Sequence, residues 1–277
     1  VVAVLDVGSS KIGCLILKFE GLEEKIEADG VGSLAGQSGF QVIGSALTRS
    51  RGMEYGEIVS MPETERAIRT ALQSAQKLAN SRVDHVIACI SGGSPRSYGL
   101  EGTVDIKTGI VDDNDIADVL GSCGIPAYGS DREVLHAQPV NFSLDHRTGL
   151  SDPRGQIGKK LSVDMHMLTV KEKTIHDLAY CLKRCDLELA GVASASYASA
   201  LSSLVEDEKE LGAACIDLGG GSTNLAIFLK KHMIFAETIK MGGGLVTRDI
   251  SLGLQIPLST AERLKTRNGG VVATGLD

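Results

Sequence analysis

VAVLDVGSSKIGCLIL at residues 2–17 and AACIDLGGGSTNLAIFL at residues 213–229 are built to one plan. Each is an apolar run ending in Asp (Asp6, Asp217), then a tight turn of glycine and hydroxyl residues, then a second apolar run. The first run suits a buried strand and the second its hairpin partner. Glycines let backbone N–H groups close on phosphate oxygens, and hydroxyls add donors. A carboxylate at the strand end can hold hydrated Mg2+. Two like hairpins imply two like domains around a cleft, gripping one nucleotide from both sides. Neither stretch is G-x-x-x-x-G-K-[ST] or G-x-G-x-x-G opening a helix, which sets aside P-loop and Rossmann readings.

Bulk properties narrow the class. A length of 277 residues accommodates two domains. With 43% hydrophobic and 23% charged residues the composition is that of a globular protein, and a net charge of -7 argues against a nucleic-acid partner. No apolar run is long enough to cross a bilayer. Six cysteines (Cys14, Cys89, Cys123, Cys181, Cys185, Cys215) are scattered through apolar stretches without C-x-x-C spacing. They read as buried packing residues in a reducing, cytoplasmic compartment. The start at Val1 and the stop at Asp277, within what reads as a domain, lead us to expect a fragment.

Outside the hairpins the chain reads as follows. Residues 21–44 suggest strand and loop. Ser60 and Glu63 have capping-box spacing before a helix with Ala67, Ile68, Ala71, Leu72, Ala75, Leu78 and Ala79 on one face. From Asp84 the texture changes to a compact αβ module. It has strands at 85–91 and 101–106, acids from Asp112 opening a helix, then the segments 132–145 and 161–170 with a Gly-, Asp- and Pro-rich loop at 148–158 between them. Thr174 is expected to cap a helix running to Cys185. The run Glu206–Glu210 reads as a solvated loop, and the Gly242 turn as the start of a helix whose N-terminus favours phosphate. Ser259 and Glu262 again show capping-box spacing.

These residues resemble the actin-like ATPase superfamily, in which two ribonuclease-H-like domains close over ATP and Mg2+. Asp6 to Lys11 resembles its first phosphate motif, Asp217 to Thr223 its second, and Ala198-S-A-L-S its first connecting helix. Within the superfamily the chain is similar to the FtsA family of bacterial cell-division proteins. That likeness extends to the REVLHAQPVNFSLD segment at 132–145, the GLSDPRG loop at 149–155, and the segments around Val246–Ile250 and Ala261–Lys265. It implies an α/β fold with an inserted αβ subdomain of SHS2 type, called 1C. The expected division is 1–83 with 164–208 as the first domain (1A), 84–163 as the insert, and 209–277 as the start of the second (2A and part of 2B).

The resemblance assigns roles. Asp6 and Asp217 face Mg2+ and serve the chemistry. Gly8, Ser9, Ser10 and Lys11 surround the β- and γ-phosphates, with Gly219, Gly220, Gly221, Ser222 and Thr223 opposite. Gly242 and Gly243 sit beside ribose or phosphate. Glu262 and Lys265 contact adenosine, although a helix-capping role for Glu262 fits its spacing equally. The segment Gly270–Leu276 resembles a third glycine motif, but Leu276 replaces the second glycine, and a loop or strand is the better reading. Ala195 and Ser196 stand where related chaperones carry a hydrolysis-assisting Glu-Pro, which implies at most a weak ATPase that senses ATP more than it consumes it.

The implied function is an ATP-binding scaffold that self-associates into actin-like protofilaments and recruits FtsZ. It would meet other divisome proteins through the insert, at the inner face of the membrane at the division site. Membrane attachment would use a C-terminal amphipathic helix outside this chain. Two alternatives stay open: a pilus-assembly adaptor of PilM type, and a small-molecule kinase or phosphohydrolase of the same superfamily.

Overall fold

The computed structural model describes residues 1–19, 39–124, 126–127 and 129–270. β1 (Val2–Val7) and β2 (Lys11–Phe19) form the first hairpin, and β3 (Phe40–Arg49) pairs antiparallel with β2. A short hairpin of β4 (Met53–Glu54) and β5 (Glu57–Ile58) leads into helix α1 (Met61–Ala79), and β6 (His85–Ile90) returns parallel to β1. Burial alternates along β1 because α1 covers one face of the sheet: Ala3, Leu5 and Val7 are buried with Ile68, Ala71, Leu72 and Ala75. At Gly44 a Cβ would stand 2.3 Å from the Ala75 carbonyl oxygen, so only glycine lets α1 lie this close to β3.

The insert is an antiparallel sheet with one helix. β7 (Arg96–Asp105) runs into α2 (Asp113–Gly121), followed by β8 (Arg132–Leu144), β9 (Arg147–Leu150) and β10 (Lys160–Lys171), in the order β7-β10-β8-β9. Asp112 caps α2 through the Asn114 and Asp115 amides, and Asp115 answers to the Asp112 amide. Val119 of α2 closes a core with Ile106, Phe142, Leu144, Leu161 and Val163.

β10 passes directly into α3 (Glu172–Arg184), which packs beside α1 through Leu178, Cys181 and Leu182. β11 (Glu188–Ser194) then completes a five-stranded sheet, β11-β6-β1-β2-β3. α4 (Ala195–Ser203) and α5 (Glu206–Leu211) lead to β12 (Ala213–Leu218), β13 (Thr223–Leu229) and β14 (His232–Ile239), a three-stranded antiparallel sheet followed by α6 (Gly243–Leu254) and α7 (Leu258–Asn268). A third core joins the parts: Leu168 of β10, Ala200 of α4, and Ala226, Phe228, Met233 and Ala236 of the second sheet. Ser97 of β7 bonds through its hydroxyl to both the N–H and the carbonyl of Ala236, and the Gln138 amide of β8 donates to the Met233 carbonyl.

Several sequence expectations change. The strand at 85–90 belongs by pairing to the first sheet, and β10 carries the insert's sheet through to Lys171, so sheet membership does not follow divisions at 84 and 163. Ser60 is the N-cap of α1 but makes no side-chain bond. The Thr64 hydroxyl instead donates back to the Ser60 carbonyl, and Thr64 rather than exposed Leu78 joins the buried face. α3 starts at Glu172, ahead of Thr174, because its first amides are taken by loop carbonyls such as that of Asp131. Residues 206–211 form a short helix whose Glu208 carboxylate accepts from the Val205 amide. Residues 21–38 and all of the Gly270–Leu276 segment after Gly270 lie outside the described residues.

Candidate functional site

The two hairpins repeat one construction. In each, the first glycine of the turn donates its N–H to a carbonyl three residues on: Gly8 to Lys11 at 3.1 Å and Gly219 to Ser222 at 2.9 Å. In each, the Asp two residues earlier pairs with a residue seven further along, Asp6 with Gly13 and Asp217 with Asn224. Equal turns therefore place equal carboxylates.

The turns meet. A Cβ on Gly220 would stand 2.7 Å from the Ser10 Cβ, and one on Gly221 would stand 2.6 Å from Ser9 Oγ and 3.0 Å from the Tyr55 nitrogen. The second turn is also stitched to the start of α6. The Gly243 amide donates to the Gly219 carbonyl at 3.0 Å and the Gly244 amide to the Gly220 carbonyl at 2.8 Å, with Gly242 pressed against both carbonyls. Backbone groups from both halves thus converge where the expected phosphate site lies.

Asp6 and Asp217 end equivalent hairpins whose turns meet, close enough for the charge of Asp217 to bear on Asp6. The Asp6 carboxyl is pushed above its ordinary range, first by the crowding of protein around it and then by the negative charge of Asp217. The Asp6 side chain nevertheless stays open to solvent. Asp217 accepts from the Ser199 hydroxyl and the Asn224 amide, both at 3.4 Å, while the Thr238 hydroxyl orients buried Asn224 at 2.8 Å. Two carboxylates that repel each other are a hard-oxygen donor set, and a hydrated divalent cation such as Mg2+ fits it by removing the repulsion.

Beside the Gly242 turn, the Lys265 ammonium donates to the Gly243 carbonyl at 3.0 Å and to Thr247 Oγ1 at 2.8 Å, and pairs with Glu262 at 2.8 Å. The Glu262 carboxyl is held below its usual range, first by Lys265, then by the Thr247 hydroxyl, with a smaller pull from Arg49 of the first half. Glu262 does not cap α7, whose N-cap is Pro257; its carboxylate is turned to the Gly243 side.

The structure therefore brings Asp6, Gly8, Ser9, Ser10, Lys11, Asp217 and Gly219–Gly221 to one junction, with Gly242, Gly243, Glu262 and Lys265 alongside. Ser222 is buried, and the Thr223 hydroxyl is spent on the Met241 carbonyl at 2.7 Å, where it holds the Gly242 turn. Sequence reasoning missed Gly56, whose amide donates to Ser9 Oγ at 2.8 Å, and the Glu57–Lys240 ion pair at 3.0 Å. It also missed Asn224, which the seven-residue offset from Asp217 makes findable. Nothing local to the sequence marks Gly56, Glu57 or Lys240.

Paired sheets bearing equivalent Asp–turn hairpins, with a separate αβ insert, define the actin-like ATPase fold. Two solved structures share it: the PilM–PilN type IV pilus biogenesis complex (TM-score 0.64, 13% identity, covering 96% of this chain and 69% of that one) and the ethanolamine utilization protein EutJ from Carboxydothermus hydrogenoformans (TM-score 0.50, 12% identity, 95% and 60%). A family model described as the SHS2 domain inserted in FTSA matches residues 92–169, and one described as cell division protein FtsA matches residues 214–277. Proteins described as cell division protein FtsA align with the chain in Rhizobium meliloti (strain 1021), at 36% identity over 278 residues, and in Pseudomonas aeruginosa, at 32% over 263 residues. The alignments cover 100% and 95% of this chain but only 62% and 60% of those relatives. The chain belongs to the FtsA family.

Proposed function

We propose that the chain is the nucleotide-binding part of a cell-division scaffold that holds ATP with Mg2+ between its two hairpin turns. One observation carries this reading: Asp6 and Asp217 stand at equivalent positions of equivalent hairpins whose glycine turns are in contact. Asp6 and Asp217 would hold hydrated Mg2+, which would supply positive charge where two carboxylates otherwise repel, and backbone N–H groups with Ser9, Ser10 and Lys11 would bind the phosphates. Glu262 and Lys265 receive the adenosine end. Hydrolysis is slow, because the position of a water-activating carboxylate is taken by Ala195 and Ser196, and the Ser196 hydroxyl is bonded to Ser194 at 2.7 Å.

On family membership we extend the proposal. The protein self-associates into actin-like protofilaments, recruits FtsZ and contacts other divisome proteins through the insert. It acts at the inner face of the cell membrane at the division site. Nucleotide changes the relation of the two halves and hence the surface offered to neighbours. The domain division that goes with this is a first domain, an inserted 1C subdomain and a second domain beginning near residue 209. Among the described residues no helix is long and apolar enough to cross a membrane.

The test is binding of a fluorescent ATP analogue to the full-length protein with Mg2+ or with EDTA, followed by co-sedimentation with FtsZ. Binding that needs Mg2+ and is lost in Asp6→Asn supports the metal-bridged cleft. Binding indifferent to EDTA and to that substitution contradicts it.

A further inference from the structure

The turn between β4 and β5 is a meeting point that the phosphate site alone does not explain. Gly56 donates its N–H to Ser9 Oγ of the first turn, and the Tyr55 nitrogen crowds Gly221 of the second. Glu57 accepts from the Lys240 ammonium of the second half at 3.0 Å, two residues before Gly242. Behind them, Gly56 lies backbone to backbone against Gly92, where a Cβ would stand only 2.3 Å from the Gly56 carbonyl oxygen. The hairpin is thus fixed on its far side and tied to both turns on its near side.

A serine hydroxyl that accepts from an amide keeps its own proton for donation elsewhere. The Gly56 amide therefore orients Ser9 as a donor, and polarises it in that sense. The second turn supplies the direction. Its Gly219 end is bonded to Gly243, whose carbonyl holds Lys265, while its Gly221 end faces Ser9 and Tyr55. A nucleotide with its adenosine at Lys265 lays its phosphate tail from Gly219 towards Gly221, so the last phosphate arrives at Ser9.

We propose that Glu57 and Lys240 are a positioning pair: their cross-cleft ion pair holds the Gly56 amide on Ser9, presents the Ser9 proton to the terminal phosphate, and so favours a nucleoside triphosphate over a diphosphate. The inference rests on the nucleotide reading above. Both side chains are partly exposed, at 33% for Glu57 and 46% for Lys240, so the effect is modest and the fold does not depend on it.

Calorimetric affinities for ATP and ADP with Mg2+ test this in the full-length protein, in Glu57→Gln, in Lys240→Met and in the reversed pair Glu57→Lys with Lys240→Glu. The ratio of ATP to ADP affinity is expected to fall about two- to fivefold in each single variant, with ADP affinity nearly constant, and to recover in the reversed pair. In a Ser9→Ala background, Glu57→Gln is expected to have no further effect. A ratio unmoved by the single variants, or not restored by reversal, overturns the positioning role while leaving the nucleotide site standing. A parent protein that binds neither nucleotide overturns the site reading, and this inference with it.

Discussion

Replacing Gly221 with alanine puts a methyl group where the two halves touch. Its Cβ would lie 2.6 Å from Ser9 Oγ, 2.7 Å from Ser9 Cβ and 3.0 Å from the Tyr55 nitrogen, against 3.4 Å where ordinary contact begins. The turns must separate by about 0.8 Å, comparable to the whole range over which a hydrogen bond stays good. Ser9 cannot swing aside freely, since its hydroxyl is held by the Gly56 amide at 2.8 Å. A phosphate gripped from both sides then loses one charged hydrogen bond, about 1.5–3 kcal/mol, or roughly ten- to a hundredfold in affinity. Overpacking costs about 1–3 kcal/mol of stability, offset in part by about 0.4–1 kcal/mol from the stiffer unfolded chain. Gly99→Ala in β7, away from the site, is the control, with no atom within 4 Å of its added Cβ. ATP titration and thermal unfolding of both variants in the full-length protein decide the matter. Equal affinity and stability in the two would refute the reasoning that the turns are in contact.

Other consequences are as direct. The raised Asp6 carboxyl means the folded state holds its proton more tightly than the unfolded chain, whose value is 3.8. Stability is therefore lost as pH rises from 3.8 through the folded value, and Asp6→Asn should stabilise the metal-free protein at neutral pH while abolishing Mg2+ binding, seen by denaturation with and without Mg2+. Asn224→Ala frees Asp217 and strips a bond from Thr238, so Mg2+-dependent ATP affinity should drop about ten- to a hundredfold, as for other residues that orient a metal ligand. Buried His166 of β10 has its titration pushed from 6.5 down to about 4, by burial and then by His136. The unfolded chain takes the proton first, so stability present above 6.5 is lost as pH falls towards 4. His166→Phe should flatten that part of a pH–stability profile.

What could be read in the sequence was whatever a local pattern dictates. Val2–Leu17 and Ala213–Leu229 announce strands, turns and carboxylates because alternation and small turn residues leave little else to form. The Gly242 turn and α6 were visible for the same reason. What depended on distant partners was not visible. Leu78 has helical spacing for burial but is exposed, whereas Thr64 turns inward to satisfy Ser60 and Gly52 carbonyls. The strand at 85–90 looked like the beginning of the insert because nothing in six residues says which sheet will receive it. Thr223 reads as a phosphate donor until Met241 is seen to take its proton. Gly56, Glu57 and Lys240 come together only when two halves of the chain close on each other.

The central claim is that the cleft between the two turns holds ATP through Mg2+ on the two carboxylates. Calorimetric titration of ATP with Mg2+ into the full-length protein and its Asp217→Ala variant tests it most directly. A single saturable site is expected in the parent, and it disappears in the variant and in EDTA. An undiminished site in Asp217→Ala, or none in the parent, would contradict it.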